Sequence, residues 1–197
     1  MLTVLDYGGG NLKSVANMLD FFGTDYEITS DPNKILAAKA VLFPGQGHFG
    51  NAMTSLEKQG LVKPLKTIIA AGVRFLGICV GMQVLFETSE EAPNVDGLGV
   101  FKGSVKRFTQ GKIPQIGWNE VKTAGANTLL ENGYYYFVNS YHVVPQDPSV
   151  ISATADYYGT FTAAVERDSV AAMQFHPEKS AACGHAAVLK FIKGAVC

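Results

Sequence analysis

Cysteine is scarce in this chain: three among 197 residues, Cys79, Cys183 and Cys197, none in a C-x-x-C spacing. An odd number without paired spacing excludes a disulfide framework, gives no zinc site and fits a reducing cytosol. Charge is scarce as well. Only 17% of residues are Asp, Glu, Lys or Arg, and 16 bases against 17 acids leave a net charge of −1. Nothing in that balance draws the chain to nucleic acid or to an anionic membrane. Long apolar runs are missing too. The most apolar stretch, Phe75 to Phe86, has twelve residues interrupted by glycines and Gln83, short of the about 20 that span a bilayer. Asp6 and the absence of a basic flank argue against a secretory signal at the N-terminus. Proline is sparse, 8 against 21 glycines, which points to tight turns rather than to linkers. His48, His142 and His185 form no pair with metal-ligand spacing to a carboxylate. They read as loop or surface polar residues, and neither a metal nor a cofactor is expected.

What the sequence does have is apolar bulk. Hydrophobic residues make up 47%, enough for a sizeable core, and the length suits one domain of roughly 100–200 residues. Short apolar runs alternate with helical periodicity. Leu2–Leu5 stops at Asp6-Tyr7-Gly8-Gly9-Gly10, and from Asn11 the residues Leu12, Val15, Ala16, Leu19 and Phe22 follow helical spacing up to Gly23. Strands are expected at 26–29 and 40–43, helices at 52–56 and 61–71, a strand at 74–78, and a helix from near Cys79 toward Glu87. After Gly97 the texture changes to segments rich in β-branched and aromatic residues at 100–108, 116–121, 134–138, 150–155 and 161–165. A last strand at 169–175 and a helix from about His185 to Lys193 close the chain. The expected fold is α/β over residues 1–197, a mostly parallel central sheet with helices on both faces plus additional antiparallel strands.

Two motifs carry chemistry. Gly77-Ile78-Cys79-Val80-Gly81 sits where an apolar strand meets a helical segment, and a G-x-nucleophile-x-G pattern describes a sharp strand-to-helix turn. A Cys there projects at the carboxyl end of the sheet, where open α/β folds place ligands, and at a helix N-terminus that favours the thiolate. A small buried hydrophobe is the plainer account of a free Cys. The second motif, Gln174-Phe175-His176-Pro177-Glu178, ends a strand. On an extended chain His176 and Glu178 share a side, so the carboxylate can orient the imidazole. Together they read as a Cys79–His176–Glu178 triad. Oxyanion donors are expected from Pro44-Gly45-Gln46-Gly47 and from the Val80 N–H, although a plain strand-exit turn explains those glycines equally well. Cys183 has no base beside it and reads as structural.

In this order the segments P-G-x-G at 44–47, G-I-C-V-G-M-Q at 77–83 and H-P-E at 176–178 resemble the class I glutamine amidotransferase family over nearly the whole chain. The resemblance implies a triad glutaminase that takes ammonia from L-glutamine for a partner synthase. Asp6–Leu12, Pro114–Asn119 and His176–Ser180 narrow it to members that form a heterodimer with a cyclase subunit of (β/α)8 barrel fold. By the same resemblance Cys79 is the nucleophile, His176 the general base and acid, and Glu178 the orienting carboxylate. Gln83 and Glu91 match substrate-holding positions, Glu91 suited to the α-amino group, and Ser140 and Tyr141 match a segment that meets the α-carboxylate. Gly45, Gln46 and Gly47 match an oxyanion strand whose peptide turns an N–H inward for activity. Asn11, Trp118, Asn119, Tyr136 and Lys179 match the partner face. Gln46 stands where a small aliphatic residue is usual, and Asn139 where His is often found. The glutaminase of pyridoxal phosphate synthase has the same triad but lacks the Gly-Trp-Asn segment. Intact Cys79, His176 and Glu178 count against a non-catalytic interaction domain, and the H-P-E ending with Gln83 counts against a stand-alone cysteine hydrolase.

Overall fold

A computed structural model describes residues 1–125 and 128–194, so Cys197 lies outside the described residues. The first half of the chain runs β1 (Leu2–Leu5), α1 (Leu12–Phe21), β2 (Tyr26–Thr29), α2 (Pro32–Leu36), β3 (Ala40–Phe43), α3 (Phe49–Lys58), α4 (Val62–Ala70), β4 (Arg74–Ile78) and α5 (Val80–Gln83). The second half runs β5 (Thr88–Ser89), β6 (Gly103–Arg107), β7 (Gln115–Thr123), β8 (Gly133–Asn139), β9 (Tyr141–Pro145), β10 (Ile151–Asp156), β11 (Thr160–Arg167), β12 (Val170–Met173) and α6 (Ala181–Ile192). The sheet order is β2-β1-β3-β4-β12-β11-β10-β7-β8. Its first five strands pair in parallel and the rest of that path pairs antiparallel.

Apart from the edge strand β2, the strands of the parallel core are buried on both faces, which is why Leu2–Leu5 and Ala40–Phe43 read as unbroken apolar runs rather than alternating ones. Right-handed crossovers then assign the helices. The chain steps one way from β1 to β2 and the other way from β2 through β3 to β4, so α1 and the α2–α4 group cover opposite faces. Side-chain contacts agree: α6 joins α1, with the His185 ring edge-on to Phe22 at 5.2 Å. The direction reverses beside β1, and the carboxyl ends of β1, β3, β4 and β12 meet there.

Several expectations are corrected. The helix after Cys79 lasts four residues instead of running toward Glu87, because the Val84, Leu85 and Phe86 carbonyls accept backbone bonds from Leu98, Val100 and Gly99. Gly97 permits this approach, since a Cβ there would lie 2.0 Å from the Phe86 oxygen. Two elements escape periodicity. The five-residue α2 is set by the Asp31 cap on the Asn33 N–H and by Pro32. Strand β9 follows β8 after a single residue, Ser140, where the chain leaves its partner β7 to pair with β6 and β11. His142 is no surface residue: it sits in β9 with its ring 4.8 Å from Phe108.

Candidate active site

The carboxyl end of β4 makes a sharp corner. Cys79 adopts φ 54°, ψ −107°, a left-handed conformation that a residue with a side chain rarely takes. Its N–H is bonded to the Met173 carbonyl of β12 at 2.7 Å, while its carbonyl accepts from Met82 and Gln83. The flanking glycines allow the corner to close. A Cβ on Gly77 would sit 2.5 Å from the Gly81 oxygen, one on Gly81 2.3 Å from the Phe43 oxygen, and one on Gly45 2.3 Å from the Gly81 nitrogen. The corner is thus locked against the end of β3 by three glycine backbones, and the strain at Cys79 is held by surroundings that leave no alternative.

His176 arrives from the neighbouring strand end. Its N–H donates to the Tyr136 carbonyl at 2.9 Å, and its carbonyl accepts from the Ser180 hydroxyl at 2.7 Å. That hydroxyl in turn accepts from the Tyr136 N–H at 2.9 Å. Glu178 then places Oε1 2.9 Å from His176 Nδ1, with both side chains nearly inaccessible. The route differs from the extended pairing read in the sequence, since Pro177–Lys179 form a 3-10 turn. The turn lets a carboxylate two residues away curl back onto the imidazole. Glu178 Oε2 is buried with no partner among the described residues.

Cys79, His176, Val80, Gln83, Glu91, Gln46, Gly47, Ser140 and Tyr141 line one cleft of about 280 Å³, together with Pro114, Val138 and Asn139. That volume suits an amino acid more than a large ligand. Cys79 is only 5% exposed but faces this space. Burial alone would push the His176 pKa down; hydrogen bonding and charge interactions with Cys79 and Glu178 outweigh it and hold the pKa up at about 10. Cys79 and Glu178 thus both favour the charged imidazole. Val80 opens α5, where first-turn amides have no partner within the helix. The Tyr7 hydroxyl lies 3.4 Å from both the nitrogen and the oxygen of Gln46, so it bridges the Gln46 peptide. Glu91 accepts from the Phe49 N–H at 2.7 Å through Oε2, which ties it to the start of α3 just after the Gly45–Gly47 turn.

Of the residues singled out in the sequence, nine line the cleft directly. Gly45 lies beneath it against the corner, and Glu178 lies behind His176. Trp118 and Tyr136 stand opposite each other on β7 and β8, rings 5.9 Å apart and edge-on. They share an exposed ribbon face with Ile116 and Tyr134, and Val138 on the same face reaches the cleft. Lys179 is exposed beside it. Asn11 holds the N-cap position of α1, in the segment that follows β1, with no side-chain bond to the helix. Asn119 points to the opposite face from Trp118, where its amide donates to the Asp156 carbonyl at 2.7 Å. His48 caps α3 by accepting from the Gly50 N–H, and Cys183 is half-buried in α6. Ser180 and Gln174 are the residues that motif reading left without a role.

The profile of the glutamine amidotransferase class-I family matches residues 3–193. The chain is similar to proteins named imidazole glycerol phosphate synthase subunit HisH. It is 44% identical to that of Dehalococcoides mccartyi over 100% of this chain and 98% of the relative. It is 47% identical to that of Rhodopirellula baltica over 91% of each, and 44% identical to that of Thermus thermophilus over 92% and 91%. Among solved structures, one described as a glutamine amidotransferase superposes with a TM-score of 0.79 at 18% identity, over 99% of this chain and 98% of that one. The structure titled PurLQS from Thermotoga maritima gives 0.76 at 16% identity over 100% and 98%.

Proposed function

The chain belongs to the class I glutamine amidotransferase family, and from that premise we propose that Cys79, His176 and Glu178 hydrolyse the side-chain amide of L-glutamine by acyl transfer. The activity is that of the glutaminase subunit of imidazole glycerol phosphate synthase, in histidine biosynthesis, which the relatives favour over the pyridoxal phosphate pathway. The observation that carries the reading is the strained Cys79 corner facing an imidazole whose far nitrogen is held 2.9 Å from a buried carboxylate.

The Cys79 thiolate attacks the carboxamide carbon, and the developing oxyanion is met by the Val80 N–H and by the Gly45–Gly47 segment. Turning the Gln46 N–H onto that oxyanion means giving up its contact with Tyr7. His176 protonates the leaving nitrogen, ammonia departs, and a thioester remains on Cys79. The same imidazole then takes a proton from water, which attacks the thioester and frees glutamate. Glu91 receives the α-ammonium group, and the Ser140–Tyr141 corner meets the α-carboxylate.

Ammonia has to reach its acceptor before it is protonated, since ammonium is not a nucleophile. The relatives' names describe a subunit, so this chain acts within a complex. The partner in this reading is a cyclase subunit of (β/α)8 barrel fold that seals the exposed ribbon of Trp118, Tyr136 and Val138, with Asn11 and Lys179 at the rim and Asn119 bracing β7 from behind. The whole chain acts as one domain, in the cytoplasm; among the described residues no helix is long and apolar enough to cross a membrane. Cys79→Ala abolishes glutamine-dependent synthesis in the assembled enzyme and leaves synthesis from ammonium salts intact. Loss of both would overturn the division of roles.

A further inference from the structure

Gln174 is fully buried immediately after β12, with its backbone fixed by a 2.8 Å bond to the Ala163 carbonyl. Its side chain reaches the reacting sulfur. Nε2 lies 3.5 Å from Cys79 Sγ, and Oε1 accepts from Gln83 Nε2 at 3.0 Å. Gln83 is itself buried, and its Nε2 lies 3.4 Å from the Tyr141 carbonyl oxygen. The three groups form a short relay from Tyr141 through Gln83 and Gln174 to the sulfur.

The relay has only one consistent direction. A peptide carbonyl such as that of Tyr141 only accepts, so the Gln83 nitrogen faces it. Gln83 then presents N–H to Gln174, whose oxygen accepts it, and the Gln174 nitrogen is left aimed at Cys79. A thiolate is a far better acceptor for that N–H than a thiol, and Gln174, buried behind the sulfur, has no solvent to turn to instead. With its nitrogen engaged on two partners, Gln83 meets the cleft with its oxygen.

We propose that Gln174 is a further catalytic residue: oriented by Gln83 and the Tyr141 carbonyl, its carboxamide N–H donates to Cys79 Sγ and holds the sulfur as the thiolate before attack. This deepens the glutaminase reading and rests on it for the identity of the attacked amide. The proton leaving Cys79 goes to His176, which faces it from beyond β12 with Glu178 behind. Tyr7 just after β1, and Glu91 and Tyr141 on the walls of the cleft, are the other ionisable side chains around the sulfur among the described residues. Gln174 supplies a donor from the buried side, independent of substrate and of the Gly45–Gly47 turn.

The test follows alkylation of Cys79 by iodoacetamide in the full chain, read by peptide mass and scanned across pH, with Cys183 as the internal control. In Gln174→Met the midpoint of the profile rises by about one unit and, below the wild-type midpoint, the Cys79 rate falls about tenfold, the size expected for losing a hydrogen bond to a charged group. Above the new midpoint the two rates converge. Gln174→Glu keeps the shape and the acceptor for Gln83 but gives the sulfur no N–H, moves the midpoint the same way, and decides the matter if the Met variant does not melt cooperatively. An unmoved midpoint, or a rate lowered by one factor at every pH, overturns the proposal. Glutamate release by the wild-type complex separates the two claims: if it is absent while the alkylation midpoint shifts, the glutaminase reading fails and the role of Gln174 stands. If release is normal and the midpoint does not move in either variant, only the role of Gln174 falls.

Discussion

At the scale of single residues, the site depends on a buried charge pair balanced against desolvation. His176 is protonated well above the usual imidazole range because Glu178 and Cys79 outweigh the cost of burial. The form that can hand a proton to the leaving nitrogen is therefore populated at neutral pH and is lost as pH rises through about 10. In Glu178→Gln one of the two supports disappears while burial still pushes downward, so the falling limb of the glutaminase pH profile moves to lower pH by about one to three units. A pH–rate series on the assembled enzyme checks this, and an unmoved limb would show that Glu178 does not set the imidazole charge. The types of these residues were legible from their motifs. Their route into contact was not: periodicity offered a continuous strand, whereas an extended His176 is followed directly by a 3-10 turn, and the tertiary bonds from Ser180 and Tyr136 hold the chain in that path.

At the scale of elements, the β4–α5 corner explains why glycine stands at 45, 77 and 81. Gly81 does not need a positive φ; it needs the absence of a Cβ, because the Phe43 carbonyl oxygen would be 2.3 Å away and is backbone that cannot step aside. Gly81→Ala forces β3 and β4 apart at their carboxyl ends, at a cost of roughly 1–3 kcal/mol. Thermal unfolding shows this as a loss of several degrees, on the basis of about 2–4 °C per kcal/mol for a chain of this size. Glutaminase activity falls with it, because Cys79 shifts. A variant as stable and active as the wild type would mean that the corner is looser than its contacts imply. Helix α5 shows a limit of sequence reading. The apolar run from Val80 to Phe86 has no period that separates a buried helix from a buried irregular segment. The decision came from residues 98–101, whose N–H groups claim the carbonyls at 84–86. The shortened helix also leaves the sulfur with only one turn of aligned peptide dipoles.

At the scale of the whole molecule, the parallel core delivers the chemistry to one rim while the antiparallel extension presents an apolar face next to it. Trp118 is 53% exposed and Ile116 and Tyr134 are more so, yet they stand on a well-paired two-stranded edge rather than in a loop. Exposed aromatics of this kind are characteristic of the centre of an interface. Trp118→Ala is expected to leave thermal stability almost unchanged, to weaken partner binding by about tenfold or more, and to release ammonia to solvent instead of product. Titration calorimetry with the proposed partner subunit and the ratio of glutamate formed to product formed measure both effects. Unchanged affinity with full coupling would remove this ribbon from the interface.

The sequence by itself determined the strand order of the parallel core and its helices other than α2, because strands buried on both faces must be apolar runs and longer surface helices must carry a 3.6-residue stripe. It also determined the chemical types at the site, because a sharp corner needs glycines and a thiol nucleophile needs a base. Only the tertiary structure decided where α5 stops, how β9 breaks away at Ser140, and which buried amide meets the sulfur. Each of those outcomes turns on hydrogen bonds between residues far apart along the chain. Gln174 and Gln83 are separated by 91 positions, and no local pattern records which donor finds which acceptor.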